Sequence, residues 1–260
     1  MYVYPVKSMG GFPVDSFRMT DRGPEYDRRF MLVDAGRRFV SQRERPSMAL
    51  FRTSMSDGML HISHASDPAG KVSVPLRPEA GEEIDVQVWD DECRAWRVSE
   101  EADRWISGIL GLEVSLVYMP DDSRRSVDPD YAIEGDITSF SDGYPVLIIG
   151  ESSLDDLNAR LSVPVGMDRF RPNIVFRGGE PHCEDGFRHL RIGDLEFFGV
   201  KPCARCVVTT IDQSTAVAGK EPLATLSTYR NRGNKVNFGM NLLHKGEGEV
   251  RVGDEIHQMR

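Results

Sequence analysis

Along most of the chain, apolar residues alternate with polar ones or come in short runs bounded by Gly, Pro or Asp. "MYVYPV", "RRFMLVD", "MLHISH", "IDVQVW", "VSLVYM", "PVLIIG", "NIVFRG", "LEFFGV", "CVVTTI" and "EVRVGDEI" are short and rich in Val, Ile and aromatics, the pattern of strands. Two stretches carry a helical period instead. In "SEEADRWISGILG", Ala102, Trp105, Ile106 and Ile109 share one face, Ser99 is placed as N-cap, acids fill the first turn and Gly111 follows the end. In "ESSLDDLNARLS", Leu154, Leu157 and Leu161 align, and Ser152 with Asp155 resembles a capping box with Asp in place of Glu. A weaker helical pattern lies at "PLATLSTYR". The polar, turn-rich segment Met119–Ala132 reads as a linker or a mobile loop. Many short strands with few helices predict a mainly β fold with a few helices (α+β), rich in barrels.

Composition narrows the class. A 260-residue chain with 40% hydrophobic and 28% charged residues has room for a real core in one large domain or two smaller ones. No apolar run approaches the roughly 20 residues that span a bilayer. The N-terminus lacks the basic-then-apolar pattern of a signal peptide, so neither membrane nor secretion is expected. A net charge of −9 argues against a general nucleic-acid partner. The positives nevertheless cluster, in "YDRRFML", "GRRFVSQRER" and "DRFRPNIVFR", as solvated edges or as a focused site for a small anion. Four cysteines give no disulfide framework, and the expected compartment is cytoplasmic.

Two of those cysteines form "CARC", Cys203 and Cys206. A structural zinc site wants four ligands, commonly two such pairs, and only one pair is present. A thioredoxin-like dithiol would open a helix, whereas this pair runs into the β-branched "VVTTI". A core cysteine beside a loop cysteine, without chemistry, stays open on spacing alone. "PVKS", with Lys7 and Ser8 before "MGG", is a plausible phosphate cradle: a point charge, a hydroxyl and a backbone that permits close approach. "FRPNIV" places Arg171 as a fork for a phosphate or ring carbonyl and Asn173 as donor and acceptor. Ser141 and Asp142 stand in the turn "SFSDGYP".

Taken in order, "YPVKS", "DRRFMLV", "SFSDGYPVLIIGESSLDDLNARL", "FRPNIV", "RIGDLEF", "CARCVVTTID" and "KEPLATLSTYR" resemble the MOSC superfamily. The likeness is to the branch with a MOSC N-terminal β-barrel domain, which includes the mitochondrial amidoxime-reducing component and bacterial relatives. It covers nearly the whole chain, Tyr2 to about Glu255. It implies a small N-terminal β-barrel domain, about 1–118, packed on a MOSC β-barrel domain, about 119–260, with the ligand cleft between them.

The resemblance also implies a molybdenum cofactor and assigns residues to it. Cys206, the second Cys of the motif, is the metal ligand, a soft thiolate for a metal already held by sulfur. Arg205, its neighbour, would favour the ionised thiol. Lys7 and Ser8 hold the anionic end of the pterin. Arg29 matches an Arg that contacts the cofactor, with Arg28 as the possible substitute. Arg171 and Asn173 contact the pterin, and Ser141 and Asp142 form the turn near the metal, with Asp142 as a candidate proton relay. The chain departs at Gly143-Tyr144, where relatives often place Thr or Ser. The implied activity is reduction of small N-hydroxylated compounds by oxygen-atom transfer. The alternative is a sulfur carrier or cofactor-delivery protein. The other three cysteines lack iron–sulfur spacing, and no GxGxxG opens a strand–helix unit. Electrons are therefore expected from separate proteins, a flavin reductase plus a ferredoxin-like or haem carrier, steered by basic patches around Arg28, Arg43 and Arg45.

Overall fold

The computed structural model describes residues 1–132 and 135–259. In the first half, two antiparallel sheets face one core. One has the strand order Phe30–Asp34, Val114–Tyr118, Asp91–Arg97, Glu82–Val88; the other is the meander Phe51–Ser56, Met59–His64, Asp67–Pro75. Alternation decides what each face buries. Phe30 and Leu32 pack with Phe51, Leu60, Ile62 and Leu116, while Met31 and Val33, one residue out of phase, pack with Val86, Val88, Met119 and Phe140.

Helix α1, Glu100–Leu110, lies against the first core through Ala102 and Ile106. It begins and ends as the sequence predicts. The Ser99 hydroxyl accepts from the Ala102 N–H, and Gly111 closes the helix at φ 60°, a left-handed value glycine adopts without steric cost. Helix α2, Glu151–Asn158, differs from expectation at its start. Gly150 occupies the N-cap, no side chain caps the helix, and the Ser152 hydroxyl is buried without a partner, so the capping box does not form. Helix α3, Leu223–Tyr229, coincides with the weak helical pattern.

In the second half the long strand Lys235–Lys245 is central. It lies between Val146–Gly150, itself beside Ile174–Phe176, and Leu195–Ala204, which continues to His189–Ile192 and Ile256–Gln258. The halves are stitched together. Ser16–Thr20 pairs with Gly248–Arg251, and Val3, Phe17 and Met19 share a core with Val146, Ile148, Phe197 and Leu242. Val3, Phe17 and Met19 thus pack with the second half, while Val6 and Met9, between them in sequence, lie in the first core.

Two expectations change. Met119–Ala132 is anchored rather than loose, with Ser123, Arg125 and Val127 buried. "VVTTI" is not a strand. Val207–Thr210 forms a 3-10 turn in which the Thr209 and Thr210 hydroxyls donate to the carbonyls of Cys206 and Val207, a local alternative to a sheet ladder. No helix among the described residues is long and apolar enough to cross a membrane.

Candidate functional site

A cleft of about 340 Å³ opens where the halves meet, lined by eight Lys and Arg side chains against one carboxylate, Asp142. A concave site between packed units that concentrates one sign of charge focuses the field on an oppositely charged ligand.

Lys7 enters from the segment after the first strand. Val6 bridges Phe30, and the Lys7 N–H donates to the Phe30 carbonyl, which fixes the turn. The ammonium is buried, donating to the Phe140 carbonyl at 2.8 Å and to Asp142 at 2.6 Å. Burial pulls the Lys7 pKa down to about 8, against the opposing attraction of Asp142. Desolvation pushes the Asp142 carboxyl upward, but the charge and hydrogen bond of Lys7, backed by Arg43 and Arg28, outweigh it and hold the group well below the usual carboxylate range. Asp142 is therefore ionised at neutral pH, an acceptor that orients Lys7 rather than an acid. Its side chain remains open to the cleft, 71% exposed. Ser8 follows at φ 65° with its carbonyl accepting from Gln42 Nε2.

Arg28, Arg171 and Asn173 form the second wall. Both guanidiniums lie 4.4 Å from the Tyr4 ring, so the ring is shared by two cations. Arg28 donates to Asp27, to the Arg171 carbonyl and to Asn173 Oδ1, while Asn173 also accepts from the Leu147 N–H. Arg171 donates through Nη1 to the Met9 carbonyl, and its Nη2 is buried without a partner. Burial, then repulsion from Arg28, lowers its pKa to about 10. A buried guanidinium with an unused donor is the environment an anion completes.

The Ser139–Asp142 turn is held from below by Arg125, which donates to the carbonyls of Ser139 and Ser141. The Ser141 hydroxyl bonds Thr138 Oγ1 at 2.6 Å. Gly143 offers no hydroxyl, but Tyr144 brings one beside it, buried and without a partner.

The cysteines complete the cleft. Both are free and half-buried. Cys206, the N-cap of the 3-10 turn, receives a hydrogen bond from Arg43 Nη2 at 3.3 Å. Arg43 stacks 4.3 Å from the Trp89 ring, and Trp89 Nε1 donates to Asp142. Trp89 sits at φ 58°, costly for a bulky residue and characteristic of a functional site. Arg205 differs from expectation: it donates to Cys203 Sγ at 2.8 Å and to the Phe170 carbonyl, not to Cys206, and its Nε is buried without a partner.

Of the residues singled out from sequence, the structure gathers Cys206, Asp142, Lys7, Ser8, Arg28, Ser141, Arg171, Asn173 and Arg205 on this cleft. Arg29 is not among them. Arg28 sits in a turn at φ 49°, just before the strand that starts at Phe30, and Arg29 turns away to donate to the Met119 carbonyl, the Tyr118 hydroxyl and Asp121. Arg28 is the cleft-side member of the pair. The steering role expected of Arg28 and Arg43 also changes, because both guanidiniums face inward; Arg45 alone of the three is exposed. Sequence reasoning did not assign Trp89, Tyr144 or Lys201 to the site, nor Arg43 to Cys206. A tryptophan just before "DD" at a strand end was the one signal for Trp89. Among the described residues, no group of three or more His, Cys, Asp or Glu could hold a metal ion by itself. A metal at Cys206 would need to arrive with its other ligands. A soft thiol, an orphaned Arg171 Nη2 and an orphaned Arg205 Nε around one cationic cavity fit an anionic, sulfur-bearing metal cofactor.

Comparison with known proteins places this geometry in a family. Residues 1–113 match the MOSC N-terminal beta barrel domain and residues 136–257 the MOSC domain. The chain belongs to the MOSC family, in the branch that carries this N-terminal barrel. It is 30% identical to mitochondrial amidoxime-reducing component 1 of Mus musculus over 99% of its own length and 80% of that protein's. The identity to the Homo sapiens protein of the same name is also 30%, over 99% and 81%. Molybdenum cofactor sulfurase of Oryza sativa subsp. japonica is 31% identical over 96% of this chain, which spans 33% of that longer protein.

Proposed function

We propose that the protein is a molybdenum-cofactor oxidoreductase that reduces small N-hydroxylated compounds. The observation that carries this reading is Cys206 Sγ beside Arg43 on a cleft whose other walls are cationic and hold unused donors. Similarity to amidoxime-reducing components along almost the whole chain supports the reaction class.

When bound, the cofactor supplies a two-electron reduction in which the substrate's N–O oxygen leaves as water, with two protons consumed. The chain's own residues do the rest. Cys206 offers the soft ligand, and Arg43 holds its sulfur in place. Lys7, Ser8, Arg28, Arg171 and Asn173 cradle the anionic tail and the ring. Lys7 presents its ammonium to the anionic end, and Asp142 keeps that ammonium aimed. We assign the division at 118/119 as the junction of the two domains, with the cleft between them.

The test is molybdenum and oxidised pterin content of the purified protein, followed by N-reduction with reduced viologen. Turnover is expected with viologen, or with a flavin reductase plus a ferredoxin-like or haem carrier, and not with NADH alone. A second reading, supported by the likeness to molybdenum cofactor sulfurase, makes Cys206 a sulfur carrier. It expects persulfide on Cys206 and no pterin.

A further inference from the structure

The cleft has a third wall that the cofactor residues leave unused. Strand Leu195–Ala204 breaks register with Lys235–Lys245 twice, between Gly199 and Lys201 and between Pro202 and Ala204. Such bulges re-aim side chains beside functional sites. Here Lys201 pairs across with Asn241, and Asn241 with Leu147, so all three form one row on the cleft side of three strands. Tyr144 sits just before that row.

The wall has a specific chemistry. Lys201 Nζ lies 4.1 Å from the centre of the Tyr131 ring and 5.8 Å from that of Tyr144, and the two rings meet edge to face at 6.2 Å. Asp128 Oδ2 is 3.7 Å from the ammonium, an ion pair too long for a hydrogen bond. The Lys201 side chain is 28% exposed. The Tyr144 hydroxyl is buried without a partner. Flat aromatic faces, an ammonium with donors to spare and an unused phenol together suit a flat ring carrying an anionic group.

We infer that Lys201, Tyr144 and Asn241 form a substrate subsite that selects N-hydroxylated compounds bearing a carboxylate or phosphate. The ring packs on Tyr144, the anion bonds the Lys201 ammonium and the Tyr144 hydroxyl, and the N–O end points along the cleft toward Cys206. The cationic lining raises the local concentration of such substrates as well as holding them. The reaction at the N–O end rests on the reductase reading; the charge-selective binding does not.

The experiment compares benzamidoxime with its 4-carboxylate, both as substrates of the loaded protein under reduced viologen and as ligands in calorimetry. The wild-type protein favours the carboxylate about tenfold in kcat/KM, as one charge-assisted hydrogen bond supplies. Lys201→Met cuts that ratio several-fold, leaving only the preference the other cations of the cleft supply, and Lys201→Arg keeps it. Charge-selective binding without turnover of either compound removes the reductase reading and retains the subsite. Equal binding of the two compounds by the wild-type protein, or an unchanged ratio in Lys201→Met, overturns the subsite. So does a nucleotide-extended pterin lost from Lys201→Met alone, which would assign this wall to the tail of the cofactor.

Discussion

Arg43 Nη2 lies 3.3 Å from Cys206 Sγ, and this contact joins a side chain of the first half of the chain to the thiol of the second. The guanidinium lies over the Trp89 ring, which is tied in turn to Asp142, so Asp142, Trp89 and Arg43 connect Lys7 to the sulfur. Because the contact crosses between the halves, it reports how well they are docked as well as how the thiol is placed.

Arg43→Ala should lower cofactor retention or turnover by ten-fold or more, since a hydrogen bond involving a charged group contributes about 1.5–3 kcal/mol. Arg43→Lys keeps the charge but loses the guanidinium over the Trp89 ring and should recover only part of it. Molybdenum per chain and N-reduction rate together check this. A fully active Arg43→Ala protein would remove Arg43 from the site.

Lys7 makes anion binding pH-dependent. Its folded pKa is lowered by burial from 10.5 to about 8. Between those values the unfolded chain holds more protons at this position, so the Lys7 contribution to stability rises with pH there. Anion binding runs the other way. A phosphate favours the ammonium, so affinity is full below pH 8 and falls as pH rises through 8, approaching about tenfold per pH unit. Calorimetry with sulfate, a dianion throughout this range, at pH 7 and pH 9 should show this fall and proton uptake at the higher pH. In Lys7→Arg the profile should be flat across this range.

Gln42 and Gln213 exchange reciprocal amide hydrogen bonds in a buried setting, and Gln42 also holds the Ser8 carbonyl. Gln213→Ala leaves the Gln42 Oε1 without its donor and should destabilise the protein by about 1–3 kcal/mol. The check is the midpoint of denaturant unfolding. Gln213→Glu, which buries a carboxylate against the Gln42 Oε1 and Ile211 carbonyl oxygens, should destabilise at least as much.

Ser99→Ala should cost about 1 kcal/mol of stability through loss of the α1 cap, with no effect on the cleft. The unfolding midpoint should shift while sulfate binding stays at the wild-type value.

What the sequence made legible follows from range. Helix α1 was readable to the residue because its cap, period and C-terminal glycine are local signals. The central strand Lys235–Lys245 was not, because "KVNFGMNLLHK" mixes both faces in one run, as a strand buried on both sides does. The ladder of cleft residues was visible only as ordered motifs. Their orientation depended on contacts 100 or more residues apart, such as Lys7 with Asp142 and Arg43 with Cys206. Hence Arg28 and Arg29 could not be told apart, and Arg205 was assigned the sulfur that Arg43 holds. The β-branched "VVTTI" misled in the usual way: propensity favoured a strand, and two threonine hydroxyls closed a tighter turn.

The most direct test is molybdenum, pterin and turnover measured on one preparation each of wild-type and Cys206→Ser protein. Wild-type should carry both molybdenum and pterin and reduce an N-hydroxylated compound under reduced viologen. Cys206→Ser should keep much of its pterin, through Lys7 and Arg171, and lose turnover, because a hard alcohol replaces the soft thiolate. Full turnover in Cys206→Ser, or wild-type protein that carries persulfide on Cys206 and never pterin, would contradict the account.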